Sequence, residues 1–319
     1  MNGLFFSLFP LPIGSLNVKI AIQTFFPLLV FSFLGIIWGS NFIFIKWAAR
    51  AITPEQIMLL RVIAAFFPLL ACALLQKTLH RSHLRYLSHF LAMAVLTAAG
   101  YFSFIKGTEL LPSSIAGLLS GAIPMFTFVC AWIFSREERL TAMKTAGMVS
   151  GCLGIFLVAR PWTQQSGING TGVAYVISGS LCVGLSFVYT RRYITPLRIQ
   201  AIALTTYQMG LASVIFVLST SFDGITLVFK DTRAWISLVL GSGLLGTGIA
   251  YVGYYYIVDK LGALTASGVN YVPPVVALIV GVVLAGETID PLSYVAAGLI
   301  LLGVALLQLG GRKGRKMPT

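Results

Sequence analysis

Acidic residues are scarce in this chain: nine Asp and Glu in 319 residues, against 22 Lys and Arg, with all charged types together making only 10%. A soluble domain carries about 25% charged residues, so a chain this poor in charge cannot cover a water-facing surface. With 57% hydrophobic residues it is built to be solvated by lipid. The missing acids also exclude chemistry. No DxxxD or DDxxD pair is present to hold a metal for diphosphate transfer, which makes an integral-membrane lipid or prenyl transferase a poor alternative. No GxxxxGK[ST] loop is present for ATP-driven transport. No acid stands near the centre of an apolar run, as a proton carrier would, since Glu109 and Asp259 both fall near run ends. Cysteine is sparse too. Cys72, Cys130, Cys152 and Cys182 lie in apolar runs without a CxxC pair or a histidine at ligand spacing, so they read as reduced packing residues. No metal, no cofactor and no enzymatic activity are expected. His80, His83 and His89 share one basic stretch and read as a solvated loop face.

What is abundant is continuous apolar sequence. Runs of about 20 residues predict membrane helices over 27–49, 54–76, 88–110, 113–135, 141–160, 170–191, 197–220, 234–258, 263–286 and 291–311. Barrel strands would alternate over about ten residues instead, so the expected fold class is all-α, a polytopic membrane protein of ten transmembrane helices. Residues 1–26 are apolar in part but broken by Pro10 and Pro12, and they lack the basic start of a signal peptide. They read as an N-terminal extension, and 312–319 as a basic tail. With the N-terminus in the cytoplasm and alternating helices, 15 of the 22 basic residues fall on inward loops and six on outward ones. That asymmetry places both termini inside and turns the net charge of +13 into a topology signal, with no need of nucleic acid as a partner.

The sequence also repeats itself. Pro124 and Glu138 recur as Pro273 and Glu287 at an offset of 149, which Gly154/Gly303 and Phe102/Tyr251 continue. Gly39 and Phe42 recur as Gly184 and Phe187 at an offset of 145. The two units are 27–160 and 168–311, five predicted helices each. An odd-helix unit must enter the membrane from opposite faces in its two copies, which predicts inverted repeats with a solute site near the midplane between them.

The run from Leu34 to Phe42, with Trp38-Gly-Ser-Asn41 inside it, and the pairs Pro124/Glu138 and Pro273/Glu287 resemble the EamA repeats of the drug/metabolite transporter superfamily. The resemblance covers about 27–311. It implies ten helices, cytoplasmic termini in a bacterial inner membrane, and export or exchange of small metabolites, often amino acids, by alternating access. The second half departs from the pattern with Val183-Gly184 where the first has Trp38-Gly39. A lipid flippase on the same scaffold is the alternative function. The partners expected are a small-molecule solute and membrane lipid, in a monomer or homodimer.

Polar and aromatic groups at membrane depth are the candidate site, because they are costly there. Arg61 falls about 10 Å into its helix and would anchor a carboxylate or brace a gate; a structural bond to a neighbouring helix is the alternative. Its counterpart in the second unit falls near Gln208. Trp38, Asn41, Tyr101, Phe104, Ser120, Phe187, Tyr251, Tyr254, Asn270 and Tyr271 complete the candidate cavity lining. For the tyrosines of the eighth segment, an interfacial aromatic belt is the competing reading. Pro124, Pro273 and Pro274 are expected to kink their helices. Glu138 and Glu287 fall in loops and read as capping or gate-bracing carboxylates.

Overall fold

The computed structural model describes residues 16–135, 141–160, 168–257 and 268–313, and among them all regular structure is helical. The helices are α1 (Leu16–Ala48), α2 (Pro54–Leu75), α3 (Leu87–Leu110), α4 (Ser113–Leu119), α5 (Ile123–Ser135), α6 (Ala142–Ala159), α7 (Gly170–Tyr189), α8 (Ala201–Ser219), α9 (Thr232–Ile257), α10 (Val272–Ala285) and α11 (Pro291–Lys313). Counting α4 and α5 as one interrupted span, nine spans among the described residues are long and apolar enough to cross a membrane, and Pro291–Leu307 is a shorter apolar helix.

Local chemistry sets the boundaries. Thr53 and Gln56 form a reciprocal capping box at the start of α2, with Pro54 at the first helical position where its missing N–H costs nothing. Thr141, Asn169 and Asp231 cap α6, α7 and α9 through side-chain oxygens. Several boundaries differ from the sequence reading. The first helix begins at Leu16 and passes through Pro27, which forgoes the bond to the carbonyl of residue 23 and crowds it with the ring. The seventh apolar segment becomes helical at Ala201, since Arg198 turns the chain through a left-handed conformation at φ 51°. The fourth is not one helix: a 3-10 turn, Ser120–Ala122, separates α4 from α5. A matching 3-10 turn, Gly268–Tyr271, precedes α10. Pro124 and Pro273 each follow their turn closely, so the distortion lies on the N-terminal side of the prolines. The carbonyls of residues 120, 269 and 270 have no amide four residues on to accept from.

Most of α9 is wider than an α-helix. Residues Ser237–Ile249 form a thirteen-residue π-helix, a geometry that otherwise occurs mainly as single-turn bulges. Its glycines face other helices. A Cβ at Gly246 would stand 2.5 Å from the Asn41 amide oxygen, and one at Gly243 would stand 2.6 Å from Ala64.

Helix pairing is reciprocal between the two units. The main contacts join α6 to α11, α3 to α7 and α8, α2 to α8 and α9, α1 to α9 and α10, α5 to α7, and α4 to α10. Exchanging each helix for its counterpart five segments away leaves this set unchanged. The reciprocity extends to single residues. At the α6/α11 crossing, a Cβ at Gly303 would stand 2.5 Å from the Gly147 carbonyl oxygen; at the positions related by 149, a Cβ at Gly154 would stand 2.8 Å from the Ala296 carbonyl oxygen. Gly39 faces Val276 as Gly184 faces Thr127.

Backbone, not a flexible side chain, limits the space at Gly303, so relief requires the two helices to separate. Gly303→Ala is expected to destabilise the folded protein by about 1–3 kcal/mol. Gly298→Ala on the same helix, where no neighbouring atom lies within 4 Å, is expected to be neutral or mildly stabilising. Thermal unfolding of the two variants in detergent checks this.

Candidate functional site

One cavity of about 100 Å³ opens between the two units. Trp38, Asn41, Phe42 and Ile45 line it from α1, Arg61 from α2, and Thr97, Tyr101 and Phe104 from α3. The second unit contributes Val183, Ser186 and Phe187 from α7 and Tyr251 and Tyr254 from α9. The two helix breaks supply Ser120 with Ile123, and Asn270 with Pro273. The candidate lining residues named from the sequence thus surround one space, except Tyr271, which ends its 3-10 turn outside the lining. Of the three prolines, Pro273 borders the cavity, while Pro124 and Pro274 do not.

Arg61 is the charge at the centre. It is 3% exposed, its Nε donates to the Thr247 hydroxyl at 2.9 Å, and its guanidinium carbon lies 4.3 Å from the centre of the Tyr101 ring. The Thr247 hydroxyl in turn donates to the Ser242 carbonyl at 2.9 Å, five residues back along the π-helix. The Tyr101 and Tyr251 hydroxyls share a hydrogen bond of 2.6 Å. No described carboxylate forms an ion pair with Arg61. A buried guanidinium held by one neutral hydroxyl and a ring face keeps most of its attraction for an anion.

Asn41, 6% exposed, supplies the opposite polarity, because its Oδ1 is buried with no hydrogen-bond partner. An unsatisfied buried acceptor of this kind costs about 1–3 kcal/mol. Aromatic rings form the wall between the polar groups. Tyr254 stacks on Phe187 with centroids 6.1 Å apart and lies 5.8 Å from Trp38, whose indole N–H is tied to the Gly246 carbonyl at 3.1 Å. Phe42 and Phe104 meet edge to face at 6.0 Å. Gln208, near the position in the second unit that corresponds to Arg61, is fully buried and donates to Thr97 at 2.5 Å.

Thr247, Thr97 and Ser186 are the polar groups the sequence reading missed. Thr247 sits in Gly-Ser-Gly-Leu-Leu-Gly-Thr-Gly, 241–248, where four glycines in eight residues were the available signal of close helix approach.

A second group of polar contacts closes the ends of the helices on one face. The Lys46 ammonium donates to the carbonyls of Thr108, Glu109 and Leu111 at 3.1, 3.0 and 2.7 Å, capping the end of α3. Glu287 caps the start of α4, accepting from the amides of Ser113 and Ser114 at 2.7 and 2.9 Å and from their hydroxyls at 2.7 and 2.5 Å. Lys106 lies between Glu55 and Glu109 at 3.6 and 3.8 Å, and Arg160 pairs with Asp290. Glu138, the counterpart of Glu287, lies outside the described residues.

The sequence profile of the EamA-like transporter family matches residues 25–160 and again 170–309. The chain belongs to the EamA-like transporter family. Among its relatives, the uncharacterized inner membrane transporter YedA of Escherichia coli K12 is 28% identical over 87% of this chain and 89% of its own length. A transporter of Archaeoglobus fulgidus is 27% identical over 85% of this chain and 94% of its own. A solved crystal structure superposes with a TM-score of 0.59 at 18% identity, covering 90% of this chain and 98% of that one, which shows a shared fold. The protein is an integral membrane transporter built of two EamA repeats.

Glu287 gives this geometry a pH signature. Burial alone would raise its carboxyl, but the bonds from Ser114 and Ser113 outweigh burial and hold it below the usual glutamate value. Between the folded and unfolded values the unfolded chain binds more protons, so stability rises with pH there. The contribution is complete above about pH 4.3 and is lost as pH falls through the folded value. Glu287→Ala is therefore expected to lower the melting temperature at neutral pH, with the difference from wild type shrinking below about pH 4. Melting curves of both proteins between pH 3 and 7 check it.

Proposed function

We propose that the protein is a secondary transporter that exports small organic metabolites bearing both a carboxylate and an amino group, such as amino acids, by alternating access at the cavity between its repeats. The observation that carries this reading is the pairing of opposite polarities in one small space. Arg61 offers a guanidinium with no described carboxylate beside it, and the Asn41 Oδ1 stands unpartnered on the same cavity. A carboxylate suits the first and an ammonium the second, with the rings of Trp38, Phe187 and Tyr254 covering the solute's apolar part. The volume of about 100 Å³ is well under the roughly 300 Å³ of an open drug-sized pocket, as fits an occluded site for a small solute.

The reciprocal helix contacts support ten membrane helices in two five-helix repeats of opposite orientation, with α11 as the tenth. The excess of basic residues on the loops of one face supports cytoplasmic termini. Interrupted helices flanking the midplane are a recurring construction of such carriers; here the breaks at Ser120–Ala122 and Gly268–Tyr271 each deliver a lining residue. The direction of export follows the family resemblance. A flippase would need a polar groove open to lipid. The lateral groove on α6, lined by Met148, Val149, Cys152, Leu153, Phe156 and the single hydroxyl of Thr145, is apolar and favours the solute reading.

A panel of amino acids, simple carboxylates and simple amines, scored by thermal stabilisation of the purified protein and then by flux in proteoliposomes, tests the proposal. Compounds carrying both groups should stabilise most. Arg61→Gln is expected to weaken their binding about tenfold to a hundredfold, the worth of a charge-assisted bond. Asn41→Leu should remove the advantage of amino acids over simple carboxylates. Unchanged binding and flux in Arg61→Gln would refute the reading.

A further inference from the structure

The two faces of the helix bundle differ sharply in charge. The face that holds Lys46, Arg50, Lys106, Arg160, Lys230 and Arg233 also holds Glu55, Glu109, Asp223, Asp231, Glu287 and Asp290, six of each sign, with several in direct contact. The opposite face carries Lys77, Arg81, Arg85, Arg192 and Arg198, all exposed, and no Asp or Glu among the described residues. Glu137, Glu138 and Asp259 lie outside those residues. Loop solvation and topology need basic residues on this face, but they do not need them interleaved with apolar side chains. Leu84 is 61% exposed and Leu87 47%, on either side of Arg85.

These side chains belong to one built surface. The 3-10 turn Arg81–Tyr86 leads into α3, and the π turn Thr190–Ile194 ends α7. Phe90 and Ile194 bury the junction between them, with Tyr86, Tyr189 and Tyr207 packed around it. His80 is exposed in the loop, as expected from sequence, but His83 and His89 are half-buried. His89 bonds the Tyr189 hydroxyl at 2.8 Å and stacks on Tyr193 at 5.8 Å, while His83 meets the ring of Tyr207 at 5.8 Å. The guanidinium of Arg85 lies 4.6 Å over the ring of Tyr86; that of Arg192 lies 5.3 Å over the ring of Tyr193 and donates from Nη1 to the Phe134 carbonyl, which leaves its remaining N–H groups to face a ligand. Both forks are thereby held at the rim, where a helix leaves the hydrocarbon and phosphates begin.

We propose that this surface binds the headgroup of an anionic phospholipid, with Arg81, Arg85 and Arg192 around the phosphate and Leu84 and Leu87 against the upper acyl chains. A guanidinium presents parallel N–H donors that match phosphate oxygens. Exposed leucines beside it give a lipid contacts that a free phosphate lacks. Each basic side chain near an anionic membrane surface contributes about fivefold in affinity, equivalent to about 1 kcal/mol. The site is independent of the solute cavity, and its assignment does not depend on the transported compound.

The test uses the purified full-length protein titrated with phosphatidylglycerol or phosphatidylcholine, reading retained lipid by native mass spectrometry and stability by melting temperature. Phosphatidylglycerol should be retained at least about tenfold better, with the preference falling as salt is raised. The triple variant Arg81→Gln, Arg85→Gln, Arg192→Gln should lose most of that preference while keeping the wild-type melting temperature in phosphatidylcholine. The corresponding triple Arg→Lys variant should retain a preference, and Lys230→Gln with Arg233→Gln on the other face should leave it unaltered. An undiminished preference in the triple Gln variant overturns the proposal. So does stabilisation by inorganic phosphate equal to that by the lipid at the same concentration, which would mark a site for free anions.

Discussion

A chain solvated by lipid must satisfy its backbone polar groups from within, because nothing in the hydrocarbon accepts or donates a hydrogen bond. Most of the polar contacts in this protein answer to that constraint. Lys46 occupies the carbonyls at the end of α3, and Glu287 occupies the amides at the start of α4, so two helix ends that meet at Pro112 are neutralised by side chains from α1 and from the segment after α10. Prolines interrupt the rule singly inside α1 and α2, at Pro27 and Pro68, and more widely at the two 3-10 breaks, Ser120–Ala122 and Gly268–Tyr271. Both breaks lie beside the cavity, where irregular backbone has polar company. The π-helix of α9 strains the same rule in another way: its thirteen residues keep their bonds five apart, and the Thr247 hydroxyl adds a further bond to the Ser242 carbonyl while receiving Arg61.

Packing carries the rest. Lipid tails are as apolar as leucine, so burial alone does not hold these helices together, and close approach through small residues takes its place. The glycine contacts fall on α1, α3, α4 and α6 in the first unit and on α7 to α11 in the second, and several recur at matched positions in both repeats. The same close approaches bring Trp38 within reach of the Gly246 carbonyl and set Asn41 against the wall of α9. Scaffold and cavity are thus made by one set of contacts.

The helical segments were legible in the sequence because an apolar run of 20 residues has few other uses. The repeat was legible because prolines, glycines and acids kept a constant spacing. Polar and aromatic residues at depth marked most of the cavity lining for a similar reason, since lipid gives them nowhere else to point. Other features lay below that level. The span Phe26–Ala48 lies close to the apolar run read from the sequence, while the helix itself continues back to Leu16 through Pro27, because a long helix tolerates the interruption of one proline. The division of α4 from α5 and the widening of α9 involve changes of one residue in hydrogen-bond register, which leave the apolar pattern intact. Thr247 was missed because a threonine among glycines looks like packing; what gives it a role is Arg61, 186 residues away in sequence. Tyr271 shares its tetrapeptide with Asn270, but neighbours in a 3-10 turn point in different directions, and only one of the two reaches the cavity.

The crossing of α6 and α11 has a geometric consequence. Its contacts map onto themselves when the repeats are exchanged, so it lies on the axis that relates the halves. The contacts of α2 with α8 and of α4 with α10 map onto themselves in the same way, so three crossings line up along that axis. Arg61 stands on one of these self-paired helices, and Ser120 and Asn270 stand in the turns beside another, which is why a cavity lined by two unlike halves is nevertheless centred between them.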